Sequence, residues 1–172
     1  MNIYISCGLT HVPRHIFASY AAFIHHLAAE LTARGASRQI KYALADSDPQ
    51  LALKPLSERA RLCYLWDRDM VERANLVIAE ASFPAIGLGI ELQIAASNNI
   101  PIIICFSDYG FNKAASITYE NPDHTRHELQ IGSGYVSLMA LGLPSIFRVV
   151  QYSNSADGVA RIIELVDFFE RG

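Results

Sequence analysis

The chain has 172 residues, with 14 Lys plus Arg against 17 Asp plus Glu, a net charge of -3 and no basic block, which argues against a nucleic-acid partner and leaves small ligands. Half of the residues (51%) are hydrophobic and only 18% are charged, an apolar excess that points to a homodimer or larger homo-oligomer. That length fits one domain spanning 1–172, able to bury roughly 70% of its unfolded surface in a single core.

Short β-rich runs alternate with longer helical ones. Strands are predicted at Asn2 to Ser6, Gln39 to Leu44, Asn75 to Ala79, Ile100 to Phe106 and Ser145 to Tyr152. Near-continuous apolar runs such as Ile102 to Phe106 indicate strands covered on both faces. Ile16, Tyr20, Ile24, Leu27 and Leu31 recur at helical spacing, and Gly35 supplies a stop. Further helices are predicted near Ser57 to Arg73, Gly89 to Asn98 and Asp157 to Glu170. The alternation predicts an α/β fold, a doubly wound parallel five-stranded sheet of flavodoxin or Rossmann type with strand order 2-1-3-4-5. Loops after the first, third and fourth strands then share one rim, where such folds keep their ligands. Residues 107 to 134 lack periodicity and read as an irregular insert, a lid or mobile segment.

Cys7, Cys63 and Cys105 are odd in number and lack metal-ligand spacing, so they read as reduced thiols of a cytoplasmic protein. The longest apolar run falls short of the ~18 residues that a membrane span needs. His124 and His127, beside Asp123 and Glu128, read as a solvated polar loop rather than a metal site, so no metal and no cofactor is expected. Asp46 and Asp48, next to Pro49, read as a turn. Tyr109, Phe111 and Tyr119 either stack on a flat ligand or, more often for such residues, anchor the insert to the core.

Glu91 stands where a buried strand hands over to a helix, after Gly87 and Gly89, which lack β-carbons and let a ligand or a second backbone come close. Two readings follow. Either the glycines shape a turn and the acid favours the first turn of the helix through its dipole, or Glu91 is the centre of a site. Asp67 and Asp69 close the preceding helix and bring further acids toward the rim, and two carboxylates flanking a sugar carbon can cleave a glycosidic bond. Spacing leaves open which of the two faces the site, since they lie two apart on a helix.

The stretch Asp67-Arg-Asp-Met-Val-Glu-Arg-Ala-Asn75-Leu-Val-Ile-Ala-Glu80, followed by Pro84-Ala-Ile-Gly87-Leu-Gly89-Ile-Glu91-Leu, resembles the core motif of the nucleoside 2-deoxyribosyltransferase superfamily, which includes the 2'-deoxynucleoside 5'-phosphate N-hydrolases. Tyr4-Ile-Ser-Cys7-Gly8-Leu-Thr10 resembles that group's first strand and ligand loop, and Val136-Ser137-Leu-Met139 its Ser-x-Met segment. The resemblance covers most of the chain apart from residues 107 to 134. It implies cleavage of the base-sugar bond of a nucleoside or nucleoside 5'-monophosphate, with Glu91 as the nucleophile and Asp67 contacting the base or assisting its protonation. It also implies a covalent glycosyl-Glu intermediate passed to water or to another base. Cys7, Gly8, Thr10, His11, Arg14, Ser82, Pro84, Gly87, Gly89, Ser137 and Met139 are the implied substrate contacts, Ser137 reaching the site of a neighbouring subunit. Where the hydrolases carry a Gly-Ser-x-Arg-Gly phosphate loop, this chain has Gly8-Leu-Thr10-His11-Val-Pro-Arg14, leaving Thr10, His11 and Arg14 for an anion. Asn75 stands where the group has Asp. The Ser137 segment and the Pro84 to Glu91 match favour hydrolysis over a deoxyribosyltransferase, and the altered first loop and long insert motivate a third reading, a non-catalytic nucleotide sensor.

Overall fold

A computed structural model describes residues 1–171. The order is β1 (Asn2–Cys7), α1 (Arg14–Arg34), β2 (Gln39–Tyr42), the short helices α2 (Ala43–Asp46) and α3 (Asp48–Leu51), α4 (Leu56–Glu72), β3 (Leu76–Glu80), α5 (Ile86–Ser97) and β4 (Ile102–Ser107). It continues with β5 (Thr118–Glu120), β6 (Arg126–Glu128), α6 (Leu138–Leu141), β7 (Ile146–Tyr152) and α7 (Ser155–Arg171). The main sheet is five-stranded and parallel, ordered β2-β1-β3-β4-β7, as the strand alternation predicts.

Because successive side chains of a strand face opposite ways, the sheet divides its residues between two cores. Ile3, Ile5, Leu76, Ile78, Ile103 and Cys105 pack under α1 and α7, against Ile24, Leu27 and Ile162. Tyr4, Val77, Ala79, Ile102 and Ile104 pack under α4 and α5, against Val71, Leu88 and Leu92. Cys7, Glu80 and Cys105 lie in register across the three central strands at their carboxyl ends, which places the rim.

Three expectations change. The second strand stops at Tyr42, because Asp46 accepts the Tyr42 N–H at 3.1 Å and pairs with Lys41, winding the chain into α2. The insert is not wholly irregular: β5 and β6 form an antiparallel hairpin around Asn121 to Thr125, where His124 takes a positive φ of 64°. Its histidines have ordinary partners, His124 at 2.9 Å from Glu120 and His127 at 3.0 Å from the Thr125 hydroxyl. The third change is the start of α5, which begins at Ile86, directly after the extended Ala85, rather than at Gly89. Gly87 and Gly89 are therefore helical and exposed, Glu91 lies in the second turn rather than the first, and a β-carbon at either glycine would touch nothing within 4 Å. The tight glycine is Gly8, whose β-carbon would lie 2.6 Å from the Phe83 carbonyl oxygen.

Asn75 joins β1 to β3: its side chain accepts the Asn2 N–H at 2.8 Å, and its own N–H reaches the Asn2 carbonyl at 2.8 Å. An Asp would keep that acceptor. Asn75→Ala is expected to cost about 1 kcal/mol in urea unfolding, and Asn75→Asp to stay within about 0.5 kcal/mol of the parent. Equal losses in the two variants would contradict this role.

Candidate active site

Glu91 points from α5 back onto β1. The Tyr4 hydroxyl donates to its Oε1 at 2.9 Å, and the Ser6 hydroxyl donates to its Oε2. Tyr4 and Ser6 are both buried, two residues apart on the face of β1 that α5 covers. No Lys, Arg or His forms an ion pair with Glu91 among the described residues. Burial pushes its carboxyl up to about 7 and the charge of Asp67 adds to the rise, while the Ser6 and Tyr4 hydroxyls act the other way.

The second acid on this side is Asp67. Cys63, one helical turn earlier on α4, lies with its Sγ 3.3 Å from Asp67 Oδ2, and Asp67 Oδ1 is buried without a hydrogen-bond partner. Asp69 turns outward to pair with Arg73 at 2.8 Å. Asp67, and not Asp69, is thus the carboxylate that lies within electrostatic reach of Glu91. An unpartnered buried carboxylate oxygen is costly unless a ligand donates to it.

A groove of about 640 Å³ opens along the same rim. His11, Pro84 and Ser137 line it, with Phe83, Phe111 and Lys113. Glu91 and Asp67 lie outside its wall. α1 and α5 both start beside it, after Pro13 and Ala85, and neither has a side-chain cap, so their first N–H groups and helix dipoles favour an anion there. The groove walls carry no Asp or Glu. Thr10, His11 and Arg14 are exposed on this side, and Cys7 ends β1 partly buried, its thiol pushed up by burial first and then by Glu91 and Glu80.

Other predicted contacts fall differently. Ser82 is buried, its hydroxyl donating to Glu80 and accepting the Ser107 N–H at 2.8 Å, so it braces the loop instead of facing the cleft. Ser137 caps α6, accepting the Met139 N–H at 3.3 Å, and Met139 is 86% exposed. Tyr109 and Phe111 pack on Phe83, with centroids 5.0 and 6.3 Å away, which ties the insert to the core, while Tyr119 pairs with His127 in the hairpin. Sequence reasoning missed Tyr4 and Ser6 as partners of the acid, Lys113 as the groove's cation and Glu80 as a fully buried acid. The available signal was polarity inside otherwise apolar strands.

No protein-family model matches the chain. A Syntrophotalea carbinolica protein, provisionally named a 2'-deoxynucleoside 5'-phosphate N-hydrolase, is 32% identical over 62 residues, covering 36% of this chain and 44% of that protein. The chain thus matches under half the length of this curated relative. Among solved structures, CMP N-glycosidase BcmB of Clostridium botulinum superimposes with a TM-score of 0.58 at 12% identity, over 96% of this chain and 99% of the other. A conserved protein of Enterococcus faecalis V583 gives 0.61 at 17% identity, over 95% and 98%. The chain therefore shares the fold of these two structures, a five-stranded parallel sheet flanked by helices. The curated relative carries the name of the hydrolase group that the Asp67 to Glu91 motif resembles.

The raised carboxyl of Glu91 has a consequence for stability. A group that holds its proton more tightly when folded contributes fully below its ordinary value of 4.5, and that contribution is lost as pH rises through about 7. Glu91→Gln removes this loss. Its melting temperature relative to the parent is expected to rise between about pH 5 and pH 8, and a difference that does not change with pH would contradict the assignment.

Proposed function

We propose that the chain is an N-glycosidase that cleaves the base-sugar bond of a nucleoside or nucleoside 5'-monophosphate. The observation that carries this reading is a half-buried Glu91 carboxylate held only by hydroxyls, in the electrostatic reach of Asp67, whose Oδ1 lacks a partner. In the ionised state Glu91 attacks the anomeric carbon, the carbon–nitrogen bond breaks with its electron pair going to the base, and a glycosyl ester forms. Asp67 contacts the base or assists its protonation. Water then cleaves the ester, releasing the sugar and restoring the carboxylate; a second base in place of water would give transfer.

The solved CMP N-glycosidase with the same fold and the sequence relative named as an N-hydrolase support this class of reaction. A 5'-phosphate suits the acid-free groove and its two uncapped helix starts, with Thr10, His11 and Arg14 nearby. In this reading the exposed turn of Ser137 and Met139 reaches toward a neighbouring subunit's site in a homo-oligomer, and the three free cysteines suit the cytoplasm. No helix among the described residues is long and apolar enough to cross a membrane.

Chromatography of free base, after incubation with a panel of nucleosides and their 5'-monophosphates, tests the reading. Base release from at least one substrate is expected, reduced on the order of 10³-fold or more by Glu91→Gln and about 10²-fold by Asp67→Asn, with Asp69→Asn unchanged. Tight binding of intact ligand without base release would favour the sensor, and undiminished release by Glu91→Gln would remove Glu91 from its role.

A further inference from the structure

The second acid of the rim, Glu80, has no part in this chemistry. It lies at the end of β3 on the opposite face of the sheet from Glu91, fully buried in the core beneath α1 and α7. Every group facing it is uncharged or acidic: Ser82 on the following loop, Tyr20 on α1, Cys7 on β1, Cys105 on β4, Tyr109 on the insert and Tyr152 on β7. None is a base. An ionised carboxylate without a cation in such a place is strongly disfavoured.

Its two oxygens are unequal. Oε1 accepts from the Ser82 hydroxyl and from the Tyr152 hydroxyl at 2.9 Å, whereas Oε2 meets only the Ser82 N–H, at 3.4 Å. The Tyr20 hydroxyl faces the carboxyl but is buried without a hydrogen-bond partner. A proton on Oε2 answers both facts: the acid stays neutral, and its O–H is available to the Tyr20 oxygen.

From Glu80 the contacts run outward into the walls of the groove. Ser82 accepts the Ser107 N–H at 2.8 Å, joining the loop after β3 to the end of β4. Asn112 then donates to the carbonyls of Ser82 at 3.0 Å and Ser107 at 2.8 Å, while its own oxygen accepts the Tyr109 N–H at 2.8 Å. Phe83, Pro84 and Asn112, which line the groove, are thus set by one buried cluster.

We propose that Glu80 is a positioning residue which, as a neutral acid, locks the loop of residues 81–85 to the segment 107–112 and so fixes the two walls of the groove. That the groove takes nucleotide rests on the function proposed above; the lock itself does not. Glu80→Gln keeps both an acceptor and a donor and is the conservative replacement. Glu80→Ala and Ser82→Ala break the lock.

The test uses the full chain, with CMP and a panel of 2'-deoxynucleoside 5'-monophosphates titrated calorimetrically in the Glu91→Gln background. Glu80→Gln is expected to bind within about threefold of its parent, and Ser82→Ala and Glu80→Ala at least about tenfold more weakly. In the infrared difference spectrum between wild type and Glu80→Gln, a protonated-carboxyl C=O band should persist at about pH 8. Hydrogen exchange at Ser107 and at residues 81–85 should accelerate in Ser82→Ala and not in Glu80→Gln. If no nucleotide binds, the 5'-monophosphate reading of the groove falls, and the infrared band with the exchange pattern still decides the lock. Should Glu80→Ala fail to fold, Ser82→Ala serves in its place. Absence of the protonated band, exchange unchanged in Ser82→Ala, or nucleotide binding as tight in Ser82→Ala as in the parent would overturn the proposal.

Discussion

The hydrogen bonds that Tyr4 and Ser6 donate across from β1 to Glu91 on α5 are the interaction on which the site depends. Among the described residues no cation pairs with this carboxylate, and the two hydroxyls are the side chains that donate to it. Burial and Asp67 oppose ionisation, and the two hydroxyls keep it within reach near neutral pH. An arginine in their place would hold Glu91 as a more stable anion. The parallel sheet makes this arrangement possible, because it brings the end of β1 beneath a helix that follows β3.

The rim divides its work between the two faces of the sheet. On the α4 and α5 face lie Glu91 and Asp67, the two acids of the proposed chemistry, with Asp67 Oδ1 buried without a hydrogen-bond partner. On the α1 and α7 face, Glu80 is enclosed by hydroxyls and thiols and joins three strand ends. Cys7, at the end of β1, feels both acids. The alternation of side chains along a strand is what lets two carboxylates so near in the fold have separate surroundings and separate protonation.

The sheet was legible because its central strands β3 and β4 are buried on both faces and its strands alternate with helical periodicity, from which the predicted order and rim followed. Glu91 and Asp67 were singled out by a resemblance to a family motif, and the structure places both on the α4 and α5 face of the sheet. The choice between Asp67 and Asp69 was not legible, because two residues on one helix differ only in direction, and Arg73 draws Asp69 outward. Tyr4 and Ser6 were hidden in a short apolar strand, where a hydroxyl looks like tolerated polarity until its partner is known. The β5 and β6 hairpin escaped because its three-residue strands are exposed on both sides and carry no apolar alternation. Ser82 was a contact implied by the family resemblance, and nothing in the sequence signalled its inward turn toward Glu80.

Acid quenching of the protein during turnover of a cleaved nucleotide, followed by peptide mass mapping, tests the central claim most directly. A mass increase of one sugar or sugar phosphate on the peptide that holds Glu91, absent from Glu91→Gln, is expected. Turnover that proceeds with no such adduct, and with inversion at the anomeric carbon, would contradict the role of Glu91 as nucleophile.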